Sequence, residues 1–328
     1  MSAILRASLR RAPLRASGAR RAYSTTPAPK SSNTPLYLGL AGVAGLAGYA
    51  YLQFAGPAAQ PLKPAVPLTS ALDKDNFVEF PLKKIEEYNH NTAKYIFELP
   101  EHTASLLPIS SCVVVKTPET FVDAKGKPFV RPYTPISDSD AEGELAFLIK
   151  YYPEGNVSKF VHSMKIGDKL AVKGPFPKFP YKSNEFEHIG MIAGGSGITP
   201  MYQILKHALA ISDDKTKFTL LFANVTPADI LLREDFDALK AKHPERFDVV
   251  YVVDKADSNW KGPTGYITPD LIKEHIAPAS AGDKVRVLVC GPPPQVAAIA
   301  GAKAGMQQGE LNGTLKELGY TPDQVFKF

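Results

Sequence analysis

Ile189-Gly190-Met191-Ile192-Ala193-Gly194-Gly195-Ser196-Gly197-Ile198-Thr199-Pro200 decides the fold. Ile189–Ala193 is a short uncharged apolar run, the mark of a strand buried on both faces. Gly194, Gly195 and Gly197 follow at once, and Pro200 stands where a helix begins, since the missing N–H of a proline costs nothing in the first turn. Glycines there let a backbone approach a dinucleotide without a Cβ in the way. The spacing is not G-x-G-x-x-G, so a standard Rossmann fingerprint is not read, and a plain tight turn remains the alternative.

Toward the C-terminus the same rhythm repeats. Helical residues Met201–Ala210 lead to an apolar strand Phe218–Ala223, a helix over Ala228–Ala241, a strand Asp248–Val253, a helix Pro269–His275 and a last strand Val285–Cys290. Apolar strands alternating with helices predict a parallel sheet covered on both faces, with ligands at the carboxyl ends of its strands. Toward the N-terminus the rhythm changes to short segments: Lys94–Glu98, Ser111–Lys116, Phe129–Thr134, Glu144–Tyr152 and Lys169–Lys173, with a hairpin-type turn at Asp123-Ala124-Lys125-Gly126. Close antiparallel strands of this kind predict a small β-barrel, interrupted by one helix near Val157–Met164. The expected division is a barrel over residues 75–180 and an α/β domain over 181–328.

The first 72 residues differ from the rest. They hold Arg6, Arg10, Arg11, Arg15, Arg20, Arg21, Lys30 and Lys63 and no acid, so they carry +8 of a net charge of +5 and leave the body at −3. An acidic body is no nucleic-acid footprint. Arginines among Ser, Ala and Leu read as a mitochondrial targeting segment over residues 1–35, against a plain basic tail. Leu36–Phe54 is uncharged, and nineteen residues at 1.5 Å each span about 28 Å, enough for a bilayer core. Tyr37, Tyr49 and Tyr51 lie toward its ends as interfacial aromatics do. A soluble helix would not normally carry Gly39, Gly42, Gly45 and Gly48 at about 1 kcal/mol each. A single transmembrane helix is expected, followed by a stiff spacer over residues 55–74 with prolines at 57, 61, 64 and 67. Two cysteines, Cys112 and Cys290, exclude a disulfide framework or a four-cysteine zinc site, and no H-x-H or H-E-x-x-H pair occurs.

Three further motifs carry chemistry. In Arg131-Pro132-Tyr133-Thr134 a guanidinium can hold a phosphate while the ring lies on a flat cofactor; alone, the segment suits an ordinary exposed strand as well. In Gly155-Asn156-Val157-Ser158 a glycine precedes a helix start, whose free N–H groups and dipole favour a pyrophosphate; simple capping by Asn156 or Ser158 reads equally well. Cys290-Gly291-Pro292-Pro293-Pro294 ends the last strand, where the thiol either floors a cleft or is a buried structural cysteine.

Together, Arg-x-Tyr-Thr, Gly-x-Val-Ser, Gly-Gly-x-Gly-Ile-Thr-Pro and Cys-Gly-Pro-Pro stand in one order across Phe77–Phe328. In this the chain resembles the ferredoxin–NADP reductase superfamily, and within it the NADH–cytochrome b5 reductase family of fungal mitochondria. The resemblance implies an FAD barrel and an NAD-binding domain. It implies that Arg131 binds FAD phosphate, that Tyr133 packs on the isoalloxazine with Pro132 among the FAD-binding residues, and that Thr134 hydrogen-bonds near its N5. Lys150 and Tyr152 would line the flavin; Gly155, Asn156, Val157 and Ser158 would hold the pyrophosphate, with Asn156 where a basic residue is common. Thr199 would stand between flavin and nicotinamide. Gly194, Gly195, Gly197, Cys290, Gly291 and Pro292 would shape the NADH cleft, and Gln295 stands where a methionine is frequent. Thr134 and Cys290 are the expected catalytic pair. Asp229 would accept hydrogen bonds from the adenosine ribose and disfavour a 2′-phosphate; stabilising a helix N-terminus is its alternative role, and Arg233 one turn later is placed where it could pair with it.

The function so implied is hydride transfer from NADH to flavin N5, then single electrons to the haem of cytochrome b5. A flavin reductase serving a quinone or other acceptor is the alternative, and a membrane-anchored nucleotide-binding tether is the non-enzymatic one. Location at the mitochondrial outer membrane or intermembrane space is implied in the same way.

Overall fold

A computed structural model describes residues 67–328; the targeting and transmembrane segments expected before them lie outside the described residues. Among the described residues no helix is long and apolar enough to cross a membrane.

The N-terminal half is a six-stranded antiparallel sheet. In chain order the strands are β1 (Thr69–Ser70), β2 (Val78–Asn89), β3 (Thr92–Glu98), β4 (Thr103–Ala104), β5 (Ser111–Lys116), β6 (Val130–Tyr133), β7 (Glu144–Lys150) and, after helix α1 (Asn156–Ser163), β8 (Lys169–Pro177). The sheet runs β6-β5-β8-β2-β3-β7, and β1 pairs with β4 outside it. Its two edges meet just past β6, where the Ile136 N–H donates to the Ala146 carbonyl of β7 at 2.9 Å. The Tyr133 and Phe147 rings lie edge to face at 6.2 Å. The sheet is therefore rolled around a core of Phe80, Leu82, Phe97, Val113, Val115, Leu145, Phe147, Ile149, Leu170 and Val172. Each such side chain contributes about 1.5–3 kcal/mol on burial. Val157 and Val161 of α1 close the same core.

β1 and Leu72 fall within the tract read as a spacer. The Ser70 hydroxyl donates to the Ser105 carbonyl at 3.2 Å, and Leu72 is buried with the rolled sheet. Only Pro67 of the four prolines lies among the described residues, so the folded unit starts well before residue 75.

The C-terminal half is a five-stranded parallel sheet of order β11-β10-β9-β12-β13. Its elements are β9 (His188–Gly194), α2 (Thr199–Ala210), β10 (Lys217–Asn224), α3 (Arg233–Lys242), β11 (Phe247–Val253), α4 (Pro269–His275), β12 (Val285–Cys290), α5 (Pro293–Ala300), α6 (Thr314–Glu317) and β13 (Val325–Lys327). Met191, Leu220 and Phe222 face α2 and α3, packing on Ile204, Leu205 and Phe236. Their neighbours Ile192 and Leu221 face α4 and α5, packing on Ile272, Val296 and Ile299. Two buried faces explain why these strands read as continuous apolar runs. Gly194 is in register with Ala223 and Cys290 with Ala193. The motif residues therefore stand in one row at the carboxyl ends of three adjacent strands.

The helix expected over Ala228–Ala241 is in fact two pieces. A 3-10 turn, Pro227–Asp229, is closed by a capping box with Thr226. Leu232 then takes φ 55°, and α3 begins afresh at Arg233. A non-glycine residue in the left-handed region ends helical continuity, so Asp229 and Arg233 do not share a helical face.

Candidate active site

β9 ends in Gly194, and a 3-10 turn over Gly195–Ile198 swings the chain into α2, with Pro200 in its first turn. This turn nests against the end of β12. A Cβ on Gly197 would lie 2.5 Å from the Cys290 carbonyl oxygen and 2.8 Å from the Gly291 nitrogen, and one on Gly194 would strike the Gln295 side chain. Gly195 has φ +51°, which favours glycine. The glycines thus serve backbone-to-backbone approach, and the floor they form joins Gly194, Gly197, Cys290, Gly291 and Pro292. The Thr199 hydroxyl turns back onto the Ser196 carbonyl at 3.4 Å.

Burial pushes the Cys290 thiol up to about 12. At neutral pH it is protonated, so it is a packing group and no covalent nucleophile. Both cysteines are free.

On the rolled sheet, Arg131 and Pro132 of β6 are exposed and Tyr133 and Thr134 are half-buried. The Arg131 guanidinium donates to its neighbour's carbonyl, Val130 O, at 2.8 Å; among the described residues no carboxylate pairs with it. Burial pushes the Tyr133 phenol up to about 12, so its ring is neutral and apolar. Two residues past β7, the Tyr152 hydroxyl meets Ser196 Oγ at 2.9 Å, tying this end of the rolled sheet to the glycine turn.

The start of α1 is built for close approach. Gly155 is the N-cap, with no side-chain cap, and a Cβ there would sit 2.5 Å from Ser158 Oγ. Ser158 Oγ accepts the Tyr152 N–H at 3.2 Å and donates to the Gly155 carbonyl at 3.0 Å. Neither the Asn156 nor the Ser158 side chain caps the helix, so its first-turn N–H groups at Asn156, Val157 and Ser158 take no partner from a capping side chain. A bare helix start, a cation without a counter-ion and a neutral aromatic on one rolled sheet suit a diphosphate-bearing flat cofactor such as FAD. The row of glycines opposite suits a dinucleotide.

Arg131→Ala is expected to weaken FAD retention about ten- to a hundredfold, the value of a charge-assisted phosphate contact. It should leave the preference between NADH and NADPH unchanged. Flavin occupancy after dialysis checks this; equal occupancy in parent and variant contradicts it.

Lys150 and Asp229 are placed differently from the expectation. Lys150 Nζ donates to Asp229 Oδ1 at 2.8 Å, with side chains 11% and 6% exposed. Asn91 Nδ2 donates to the same oxygen at 3.2 Å, while Asp229 Oδ2 accepts from Thr226 N at 3.1 Å and Thr226 Oγ1 at 2.7 Å. Burial alone would raise this carboxyl, but the Lys150 ammonium and the Thr226 hydroxyl hold it at about 2. Arg233 instead approaches Asp237 at 3.8 Å and lies over the Tyr251 and Trp260 rings. Asp229 therefore stands in a polar clasp between the two sheets and not as an open acceptor. The clasp continues through Asn89 Nδ2 to Ala228 O at 2.9 Å and Leu232 N–H to the Tyr88 hydroxyl at 2.7 Å. Tyr88, Asn89 and Asn91 belong to no chemical motif in the sequence; the Asn-His-Asn hairpin tip between two strands is the one local signal that marks them.

Models of two families match the chain: an oxidoreductase FAD-binding domain over residues 79–181 and an oxidoreductase NAD-binding domain over residues 191–301. NADH-cytochrome b5 reductase 2 of Mycosarcoma maydis is 48% identical, covering 94% of this chain and 93% of its own length. The protein of the same name in Phaeosphaeria nodorum is 42% identical, covering 91% of each. Among solved structures, the cytochrome b5 reductase domain of Ulva prolifera nitrate reductase superposes with a TM-score of 0.68 at 27% identity, over 79% of this chain and all of that one. On these alignments, which run through both sheets and the row of strand ends between them, the chain belongs to the NADH-cytochrome b5 reductase family.

Proposed function

We infer that this chain carries electrons from NADH through FAD to cytochrome b5. The observation that carries the reading is the Tyr152–Ser196 contact at 2.9 Å. It brings the flavin-side strand, with Arg131 and Tyr133 beside it, against the glycine turn that would receive NADH. The relatives' names support the acceptor.

Bound FAD would supply the redox chemistry, taking a hydride at N5 and releasing electrons one at a time. The chain's own residues position and exclude. Arg131 and the α1 start hold negative charge, and Tyr133 offers an apolar face. The Gly194–Gly197 turn lets a dinucleotide lie on backbone. The protonated Cys290 thiol fills the cleft floor beside the expected nicotinamide position, and Thr134, next in chain to Tyr133, would stand near the flavin edge. Hydride transfer needs no general base, so no histidine or aspartate has to serve as one.

Cys290→Ser is expected to keep FAD bound and to slow flavin reduction by NADH roughly tenfold, because misplacement of the reacting partners by a fraction of an ångström is felt in the rate. Rapid-mixing absorbance checks it, and an unchanged rate would leave Cys290 a core residue only.

The acceptor is tested by supplying purified protein and NADH with cytochrome b5 or with a quinone in parallel. Faster reduction of the quinone at equal concentration would favour the other reductase reading. A yellow protein that reduces neither would favour a nucleotide-binding tether. We also propose that residues 36–54 anchor this body to the mitochondrial outer membrane, facing the cytosol or the intermembrane space; the acid-free arginines and the uncharged run after them support this. Fractionation with protease protection tests it, and recovery from the matrix would contradict it.

A further inference from the structure

Gln295 is the third residue of α5, after Pro293 and Pro294. Two prolines remove two of the N–H groups that a helix start normally offers to an anion. The Gln295 side chain lies back across the strand ends. Its Oε1 fills the space where a Cβ of Gly194 would go and stands 3.1 Å from the Cβ position of Gly291. Its Nε2 is buried and has no hydrogen-bond partner. The neighbouring strand end carries a second such amide: Asn224 closes β10, is 6% exposed, and has both Nδ2 and Oδ1 buried and unpartnered. Ala223 is in register with Gly194, so both amides belong to one row of strand ends.

Buried polar atoms are satisfied in the great majority of cases, and an orphan amide N–H₂ is unfavourable unless something arrives to accept from it. Nε2 is a donor, so the arriving atom is an acceptor. Within a dinucleotide, the densest acceptors are the pyrophosphate oxygens, the part that a glycine turn admits to the backbone. We propose that Gln295 Nε2 donates to a pyrophosphate oxygen of bound NADH, replacing the backbone donors that Pro293 and Pro294 lack. A methionine at this position would donate nothing, so Gln295 makes dinucleotide affinity in this chain depend on a side-chain amide. The inference rests on the reading of this row as the NADH site.

The test is calorimetric titration of the FAD-loaded full-length protein with NAD⁺ and with ADP-ribose, for the parent, Gln295→Met and Gln295→Glu. Gln295→Met should weaken both ligands about ten- to a hundredfold, the range for a hydrogen bond to a charged group. Gln295→Glu should weaken them at least as much, with flavin absorbance unchanged. A parent that binds neither ligand defeats the reading of the cleft itself. A parent that binds both while Gln295→Met stays within twofold overturns the role of Gln295. Loss for NAD⁺ with ADP-ribose unaffected overturns the phosphate assignment and moves the amide to the nicotinamide end. Should Gln295→Met shed its flavin, Gln295→Glu decides, since it keeps the size and exchanges the donor for a repelling charge; parental affinity there overturns the proposal.

Discussion

Gly197→Ala is expected to retain FAD and to slow reduction of that flavin by NADH about a hundredfold or more. The added Cβ would sit 2.5 Å from the Cys290 oxygen and 2.6 Å from its carbonyl carbon. Both obstacles are backbone at the end of a central strand, and that strand is hydrogen-bonded on both sides. No rotamer change relieves the overlap, so either the Gly195–Ile198 turn lifts or the end of β12 shifts. Either movement displaces the dinucleotide from the flavin, and about 1 Å of misplacement in a hydride transfer is enough for about a hundredfold. The rolled sheet is untouched, so flavin content should equal that of the parent. A parental reduction rate would mean that the turn and the strand end do not shape the NADH cleft.

Lys150→Met is expected to destabilise the folded protein by about 3 kcal/mol, because it leaves the Asp229 carboxylate buried with its cation removed. Asp229→Asn, which keeps the shape and drops the charge, should cost less. The double variant should recover part of the loss, as contacting partners do not add. The pH dependence follows from the depressed carboxyl. Its folded value of about 2 lies below the unfolded value of about 3.9. The contribution of Asp229 is therefore fully present above about pH 4 and is lost as pH falls toward 2. Urea unfolding at pH 7 and between pH 4 and 2 measures both effects. A Lys150→Met change within about 0.5 kcal/mol at pH 7 would show that the clasp contributes nothing to stability. The same pairing bears on cofactor preference: Lys150 neutralises Asp229, so repulsion of a 2′-phosphate by Asp229 is weaker than a lone carboxylate would give.

The parallel sheet was legible because its strands are buried on both faces and read as apolar runs between helices. The glycine turn was legible because few residues other than glycine allow such an approach. β2 was not. Its sequence, Val-Glu-Phe-Pro-Leu-Lys-Lys-Ile-Glu-Glu-Tyr-Asn, buries only Phe80 and Leu82 fully, holds Pro81, and spends its second half on exposed charge; nothing in that pattern alternates cleanly. The break at Leu232 was hidden for another reason. Ala228–Ala241 has helical composition throughout, and the break falls where Thr226 caps Asp229 locally while Lys150, 79 residues away, holds the same carboxylate and the Tyr88 hydroxyl accepts the Leu232 N–H; the two distant partners lie outside any local window. Arg131, Gly155 and the Cys290 turn stood out in the sequence because each pairs a distinctive residue type with a strand or helix end. Gln295 stood out only as a departure from a common methionine, and its unpaired amide needed coordinates to be seen.

The most direct measurement of the whole reading is a double-mixing experiment on the full-length, FAD-loaded protein. NADH is mixed first, without oxygen, and cytochrome b5 second, while flavin and haem absorbance are followed together. The expected result is loss of the flavin band on the first mixing, then its return in step with haem reduction, two haems for each NADH. A flavin band that NADH leaves untouched, or a reduced protein that holds its electrons when cytochrome b5 arrives, would contradict it.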